Sequence, residues 1–130
     1  MNWNDFGKSC AALCMWREAR GEGHDGLRCV CHVIANRANL HSKSWAEIVY
    51  QRLQFSSMTY PQDPQLTHVP VSPDSAFEDC CEIAESVWNG GDFDLTQGAT
   101  HYFADSIDMP EWAKSMTFLV KIGHHSFYKE

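Results

Sequence analysis

The sequence predicts a mostly helical α+β domain with a small antiparallel hairpin near its C-terminus. Apolar residues recur at helical spacing through the front of the chain and again over residues 72–91, whereas residues 117–127 alternate around Gly123. At 130 residues and 44% hydrophobic composition, the chain is long enough for one core and too short for two. We therefore expect a single domain over residues 1–130.

Three helices are predicted in the first 51 residues. The first runs from Asp5 to Ala19 and is stopped by the glycines that follow. The second has Asp25 as its N-cap and carries an apolar stripe. The third spans Trp45–Gln51 behind a Ser44 cap. The stripe of the second helix consists of Leu27, Val30, Cys31, Ile34 and Ala38.

The rest of the chain divides into a loop, a helix and a hairpin. Residues 53–72 contain three prolines and many polar groups, which predicts an irregular, ordered loop. A helix follows, with Ser72 as N-cap, Pro73 at its first position and a Gly-Gly stop. The alternating segment 116–129 predicts two short antiparallel strands.

Charge and composition exclude several classes of partner and site. A formal net charge of −7 argues against a general attraction to nucleic acid or to an anionic membrane. No apolar run approaches the roughly 20 residues of a membrane span, and the start of the chain lacks the features of a secretory signal. We therefore expect a cytoplasmic protein without membrane insertion, with its six cysteines as reduced, mostly buried thiols.

Two glutamates near the end of the first helix are candidates for acid chemistry. Glu18 falls in the last turn, at the negative end of the helix dipole, which favours a protonated carboxyl, and burial beside Trp16 would act in the same direction. Glu22 lies in a glycine-flanked loop, where it could contact a substrate or cap the next helix. Spacing alone also fits a solvent-facing Glu18 paired with a neighbouring arginine.

Four sequence blocks resemble one family. "EARGEGHDGLRCVCHVIANRA" (18–38), "IVYQRLQFSS" (48–57), "GATHYFADSIDMPEWA" (98–113) and "KIGHHSFYK" (121–129) are similar, in this order, to the blocks of the SleB/CwlJ-type cell wall hydrolases. Together the blocks cover most of the chain.

The resemblance implies a lysozyme-like fold and cleavage of the MurNAc-GlcNAc β-1,4 bond of peptidoglycan, as a lytic transglycosylase. It places the family's acid at Glu18, with Glu22 as the alternative or assisting group. A free-standing module without a signal resembles a single-domain phage endolysin, held in the cytoplasm until it is released to the wall. We expect a monomer that binds glycan strands and needs neither cofactor nor metal.

A glycan groove needs amides or hydroxyls for the N-acetyl groups and aromatic faces for the sugar rings. The candidates for substrate binding are Gln54, Ser56, Thr100, His101, Tyr102, His125 and Tyr128. Phe55, Trp112 and Phe127 are interpreted as packing residues. Asn36 and Arg37 either orient the Glu18 loop or form an ordinary helix end.

Other reactions and roles stay open at this stage. If water replaced the internal hydroxyl as nucleophile, the protein would be a hydrolytic muramidase, with Glu22 or Asp105 positioning the water. The many histidines and cysteines suggest a zinc-dependent N-acetylmuramoyl-L-alanine amidase, although their spacing matches no usual zinc motif. A sugar-binding module without turnover is the alternative outside enzymology.

Overall fold

The computed structural model describes residues 3–51 and 54–130 and confirms the mostly helical α+β class. Five helices precede or flank a three-stranded antiparallel sheet, and two 3₁₀ turns lie in the connections. The helices are α1 (Trp3–Ala19), α2 (Gly23–His41), α3 (Trp45–Val49), α4 (Ser56–Thr59) and α5 (Ser75–Trp88). The strands are β1 (His101–Ala104), β2 (Thr117–Ile122) and β3 (His125–Lys129), and the 3₁₀ turns are Pro64–Thr67 and Glu111–Ser115.

The turn between α1 and α2 is tighter than the sequence suggests. The predicted Asp25 cap is wrong, because α2 begins at Gly23 and Glu22 occupies the N-cap position without a side-chain capping bond. Gly23 has a φ of 81°, which glycine adopts without strain, so the chain reverses within three residues. Asp25 lies instead in the first turn of α2, where Arg28 Nη1 donates to its carboxylate at 2.9 Å.

The third helix is confirmed with its cap. The Ser44 hydroxyl accepts from the backbone N–H of Glu47, and the Glu47 carboxylate accepts from the backbone N–H of Ser44, which completes a capping box. Ile48 and Val49 are fully buried. The helix ends at Val49, two residues earlier than predicted.

The loop predicted from residue 53 contains two short helical turns, and its first residue lies outside the described part of the chain. The predicted Ser72 cap of the next helix is wrong. Asp74 caps α5, because its carboxylate accepts from the backbone N–H of Phe77 at 2.9 Å. The same oxygen is 3.3 Å from Trp16 Nε1, so a contact with α1 contributes to the choice of cap.

The predicted hairpin is confirmed as β2 and β3, and a third strand joins it. The sheet order is β1-β3-β2, with His101 opposite Tyr128 and Ala104 opposite His125 in the antiparallel β1–β3 pair. β1 has only four residues, all partly buried, so it lacks the alternation that predicts a strand.

Helix α2 lies between two apolar cores. The larger core joins α1, α2, α3 and α5 around residues such as Met15, Ile34 and Ile48. The smaller core packs Cys29 and Val33 of α2 against Ala99 and Phe127 at the sheet. The backbone of α2 therefore sets the position of the sheet relative to α1.

The six cysteines are free thiols, and all but Cys81 are buried. Burial raises the pKa of the Cys29 and Cys80 thiols to about 12, and the pKa of Cys14 and Cys31 is also raised, chiefly by burial. These side chains behave as small apolar core residues.

The loop after α3 is tied to the end of α1. Arg17 donates to the backbone oxygens of Ser57 (3.1 Å) and His68 (3.0 Å). The Arg20 guanidinium lies over the Trp16 ring, 4.2 Å from its centroid, and the His68 ring packs edge-on against the same indole. The last turn of α1 thus positions residues 57–68.

Gly26 leaves room for Glu22 at the start of α2. A Cβ added at Gly26 would lie 2.5 Å from Glu22 Cβ, whereas one added at Gly21 would meet no atom within 4 Å. We expect Gly26→Ala to lower the free energy of unfolding by about 1 to 3 kcal/mol through overpacking. The matched Gly21→Ala variant should change it by less than about 0.5 kcal/mol. Urea unfolding of both variants measures the difference, and equal stabilities would contradict the predicted clash.

Candidate active site

An open cavity of about 620 Å³ lies where α1, α2, the segment 54–60 and strands β1 and β3 meet. Its size is that of a small-molecule or oligosaccharide site. The residues that line it are Glu18, Val33, Arg37, Gln54, Phe55, Ser56, Tyr60, Thr100, His101, Tyr102, Phe103, Ala104, Ile107, Pro110, Trp112 and His125.

Glu18 reaches this cavity from the last turn of α1 and is half-buried. The Tyr102 hydroxyl donates to Glu18 Oε1 at 2.8 Å. Burial and the adjacent Glu18 carboxylate raise the pKa of Tyr102 well above its usual value, so its hydroxyl keeps its proton and remains a donor. Within residues 3–51 and 54–130, no group donates to Oε2 of Glu18, which leaves that oxygen available to a ligand.

His125 lies beside this pair. Its ring centroid is 4.9 Å from that of Tyr102, and the residue is buried. Burial lowers the pKa of His125, an effect that the nearby Glu22 and Glu18 carboxylates oppose. A neutral imidazole in this position can exchange hydrogen bonds with a ligand.

Glu22 does not line the cavity. Its side chain is about one fifth exposed, and its Oε1 lies 3.8 Å from His125 Nε2. Glu22 therefore lies behind His125, whereas Glu18 lines the cavity itself.

Arg37 crosses from α2 to the cavity wall and is only 4% exposed. Its Nη1 donates to Gln54 Oε1 at 2.5 Å and to His101 Nε2 at 3.1 Å, and its Nη2 donates to Gln51 Oε1 at 2.5 Å. One side chain of α2 therefore holds groups from the segment after α3 and from strand β1.

The contact with Arg37 fixes the tautomer of His101. A guanidinium has only donors, so His101 Nε2 must accept and the ring proton must lie on Nδ1. Nδ1 is 3.1 Å from the Thr100 hydroxyl oxygen, which also accepts from the backbone N–H of Glu130. Burial and the Arg37 charge lower the pKa of His101, in agreement with a neutral ring.

The structure brings together most of the predicted substrate-binding residues. Gln54, Ser56, Thr100, His101, Tyr102 and His125 line the cavity. Tyr128 does not. Its ring packs against Phe103, Trp112 and Phe118, and its backbone oxygen accepts from the Thr100 N–H at 2.9 Å. Tyr128 thus supports the wall from behind.

Three further residues have roles that differ from the predicted ones. Asn36 and Arg37 make no hydrogen bond or ion pair with the Glu18 loop within the described residues, and Asn36 donates instead to Asp94 and to the Ala99 backbone. Asp105 is exposed outside the cavity lining, where it pairs with Lys121 and His124.

Sequence reasoning missed part of the wall. Tyr60, Phe103, Ile107 and Pro110 line the cavity, and so do Phe55 and Trp112, which were interpreted as packing residues. Phe127 is fully buried, as expected of a packing residue. The cluster of aromatic and apolar residues between positions 102 and 112 was the sequence signal from which these wall residues could have been predicted.

Metal sites and membrane-spanning helices are both absent from the described part of the chain. No three His, Cys, Asp or Glu side chains among residues 3–51 and 54–130 are grouped so as to hold a metal ion. None of the helices in these ranges is long and apolar enough to cross a membrane.

Comparison with known proteins places the chain among wall-degrading enzymes. The family model described as Cell Wall Hydrolase matches residues 21–128, a range that starts three residues after Glu18. The catalytic domain of the germination-specific lytic transglycosylase SleB from Bacillus anthracis is 25% identical with a TM-score of 0.75, over 99% of this chain and 97% of that one. The catalytic domain of Bacillus cereus SleB is 24% identical with a TM-score of 0.71, over 99% and 92%. No curated protein sequence matches the chain.

The neutral His101 makes stability depend on pH. Its pKa in the folded protein lies below the ordinary value of 6.5, so between these two values the unfolded chain binds more protons. The free energy of unfolding should therefore fall as the pH falls below about 6.5, by at most about 1.4 kcal/mol per pH unit for this group. Urea unfolding from pH 7.5 to 5 should show a steeper loss for the unsubstituted protein than for His101→Gln, which keeps an acceptor for Arg37. Parallel curves would contradict the assignment.

Proposed function

The chain belongs to the cell wall hydrolase family, and from this premise we propose that it cleaves the β-1,4 bond between MurNAc and GlcNAc in peptidoglycan. The observation that carries the proposal is the Glu18 carboxyl, presented to a cavity of about 620 Å³ and held at one oxygen by Tyr102. The likeness to the SleB catalytic domain, described as a lytic transglycosylase, supports the same bond and reaction class.

Glu18 acts as the general acid in this proposal. Protonated at Oε2, it gives its proton to the glycosidic oxygen while the C1–O bond breaks, so GlcNAc leaves with a neutral hydroxyl and positive charge develops on MurNAc. The hydrogen bond from Tyr102 to Oε1 restricts the carboxyl group to one orientation. It thereby selects Oε2 as the oxygen that carries the proton.

The resulting carboxylate then acts as the base. It takes the proton of the MurNAc C6 hydroxyl while O6 attacks C1, which forms the 1,6-anhydro ring and restores the protonated Glu18. No water is consumed and no second carboxylate is needed. This economy fits a cavity in which Glu18 is the one acidic residue of the lining within the described residues.

Two other reactions on peptidoglycan remain alternatives. A hydrolytic muramidase needs a group that positions water, and Glu22 does not line the cavity but lies 3.8 Å from His125, which does. A zinc-dependent amidase would cut the stem peptide from MurNAc and needs a cluster of metal ligands. The product distinguishes the three reactions.

We expect digestion of purified sacculi to yield fragments with 1,6-anhydro-MurNAc ends. Mass spectrometry identifies them, because the anhydro product is lighter than the reducing product by one water. Reducing MurNAc ends would indicate a muramidase, and released stem peptides would indicate an amidase. Either result would overturn the proposed transglycosylation.

Replacing Glu18 with glutamine removes the proton donor and keeps the shape of the side chain. We expect Glu18→Gln to lower the rate of sacculus degradation by at least about 10³-fold while binding to sacculi is kept. Glu82→Gln, at an exposed position on α5, is the matched control and should retain normal activity. Near-normal turnover by Glu18→Gln would sink the assignment.

The biological setting proposed for this activity is lysis of a bacterial host by a monomeric, single-domain endolysin that reaches the wall after release from the cytoplasm. It stays a prediction, separate from the chemistry.

A further inference from the structure

Arg37 is a buried cation whose side-chain partners, within the described residues, are all neutral. They are the amide oxygens of Gln51 and Gln54 and the Nε2 of His101, and the Arg37 Nε has no acceptor in the part of the chain that the structure describes. No carboxylate among the described residues is hydrogen-bonded to Arg37, and the more distant Glu130 charge opposes the cost of burial only in part, so the pKa of Arg37 is lowered. This arrangement is therefore unlike an ordinary structural ion pair.

The guanidinium determines which way the two amides face. Since it can only donate, Gln51 and Gln54 must each direct their oxygen at it. Gln54 is exposed and lines the cavity, and its Nε2 has no acceptor among the described residues. The group that Gln54 can offer to a ligand is consequently an N–H donor.

We propose that Gln54 binds substrate through its side-chain N–H donor, and that the acceptor is the carbonyl oxygen of an acetamido group on the glycan. The inference rests on the proposed function and adds the chemical group that is recognised. Arg37 is a positioning residue, since it acts on the ligand by holding Gln54.

The surroundings of Gln54 fit an acetamido group. Phe55 and Trp112 also line the cavity, and the Trp112 ring lies 5.1 Å from that of His101, the other neighbour of Arg37. An acetamido group carries a carbonyl oxygen next to a methyl group. The oxygen suits an amide donor, and the methyl group suits an aromatic wall.

Substitutions at positions 54 and 51 distinguish an effect on the stability of the fold from an effect on substrate binding. A carboxylate at position 54 would neutralise Arg37 and stabilise the fold, but it would remove the donor. A carboxylate at position 51 would neutralise the same guanidinium from outside the cavity lining. The two substitutions add the same charge beside the same cation, so Gln51→Glu is a matched control for Gln54→Glu.

Binding is measured in a Glu18→Gln background, with glycan strands freed of stem peptides and with whole sacculi as probes, and thermal unfolding is followed in parallel. We expect both glutamate variants to raise Tm by at least about 2 °C. Gln54→Glu should bind both probes about tenfold more weakly, whereas Gln51→Glu should bind within about twofold of the parent. Gln54→Ala should also lose affinity, without the gain in Tm, because it removes the donor without adding charge.

Several results would overturn the inference. They are unchanged affinity in Gln54→Glu or Gln54→Ala, an equal loss in Gln51→Glu, or a loss confined to peptide-bearing sacculi, which would place the acceptor on the stem. Degradation of sacculi by the unsubstituted protein is recorded alongside. Its absence defeats the proposed function, whereas degradation together with unchanged affinity of the position-54 variants defeats this inference alone.

Discussion

The hydrogen bond between Tyr102 and Glu18 joins the two parts of the molecule at the candidate site. Glu18 belongs to α1 and the helical core, while Tyr102 belongs to β1 and contacts Phe127 of the smaller core. The bond forms only if α1 and the sheet are held at a fixed separation. The orientation of the Glu18 carboxyl depends on this constraint, because a displaced Tyr102 could no longer hold it.

Helix α2 supplies that fixed separation. One apolar face packs against α1 and the other against the sheet. Helix α2 therefore positions both partners of the Tyr102–Glu18 hydrogen bond. Its polar residues form hydrogen bonds that hold the neighbouring segments in place. Asn36 holds the segment 94–99, and Arg37 holds Gln54 and His101 at the cavity wall. The hydrogen bond from Arg17 to the Ser57 backbone oxygen attaches the segment after α3, which forms another part of the cavity wall, to α1.

Helical periodicity was enough to predict α1, α2, α3 and the body of α5, because each carries a buried stripe. The Ser44 cap of α3 was also predicted, whereas the caps of α2 and α5 were not. At α5 a tertiary contact contributes, since Asp74 caps the helix and also contacts Trp16. Periodicity also failed to predict β1, whose four residues form a strand through antiparallel pairing with β3.

At the site, Glu18 and six of the seven proposed substrate-binding residues line one cavity, and their roles stay predictions. The role of Arg37 was not predictable. Its partners come from the following loop and from a strand more than 60 positions away, so no local pattern could reveal them.

The cysteines of this fold have a consequence for where the enzyme can operate. Peptidoglycan lies outside the reducing cytoplasm, in compartments where exposed thiolates are oxidised or exchanged. Five of the six thiols are shielded by the core, and the raised pKa of Cys14, Cys29, Cys31 and Cys80 keeps them protonated and poorly nucleophilic. Burial thus protects five of the six cysteines from oxidation and thiol exchange, and Cys81 is the one thiol exposed to solvent.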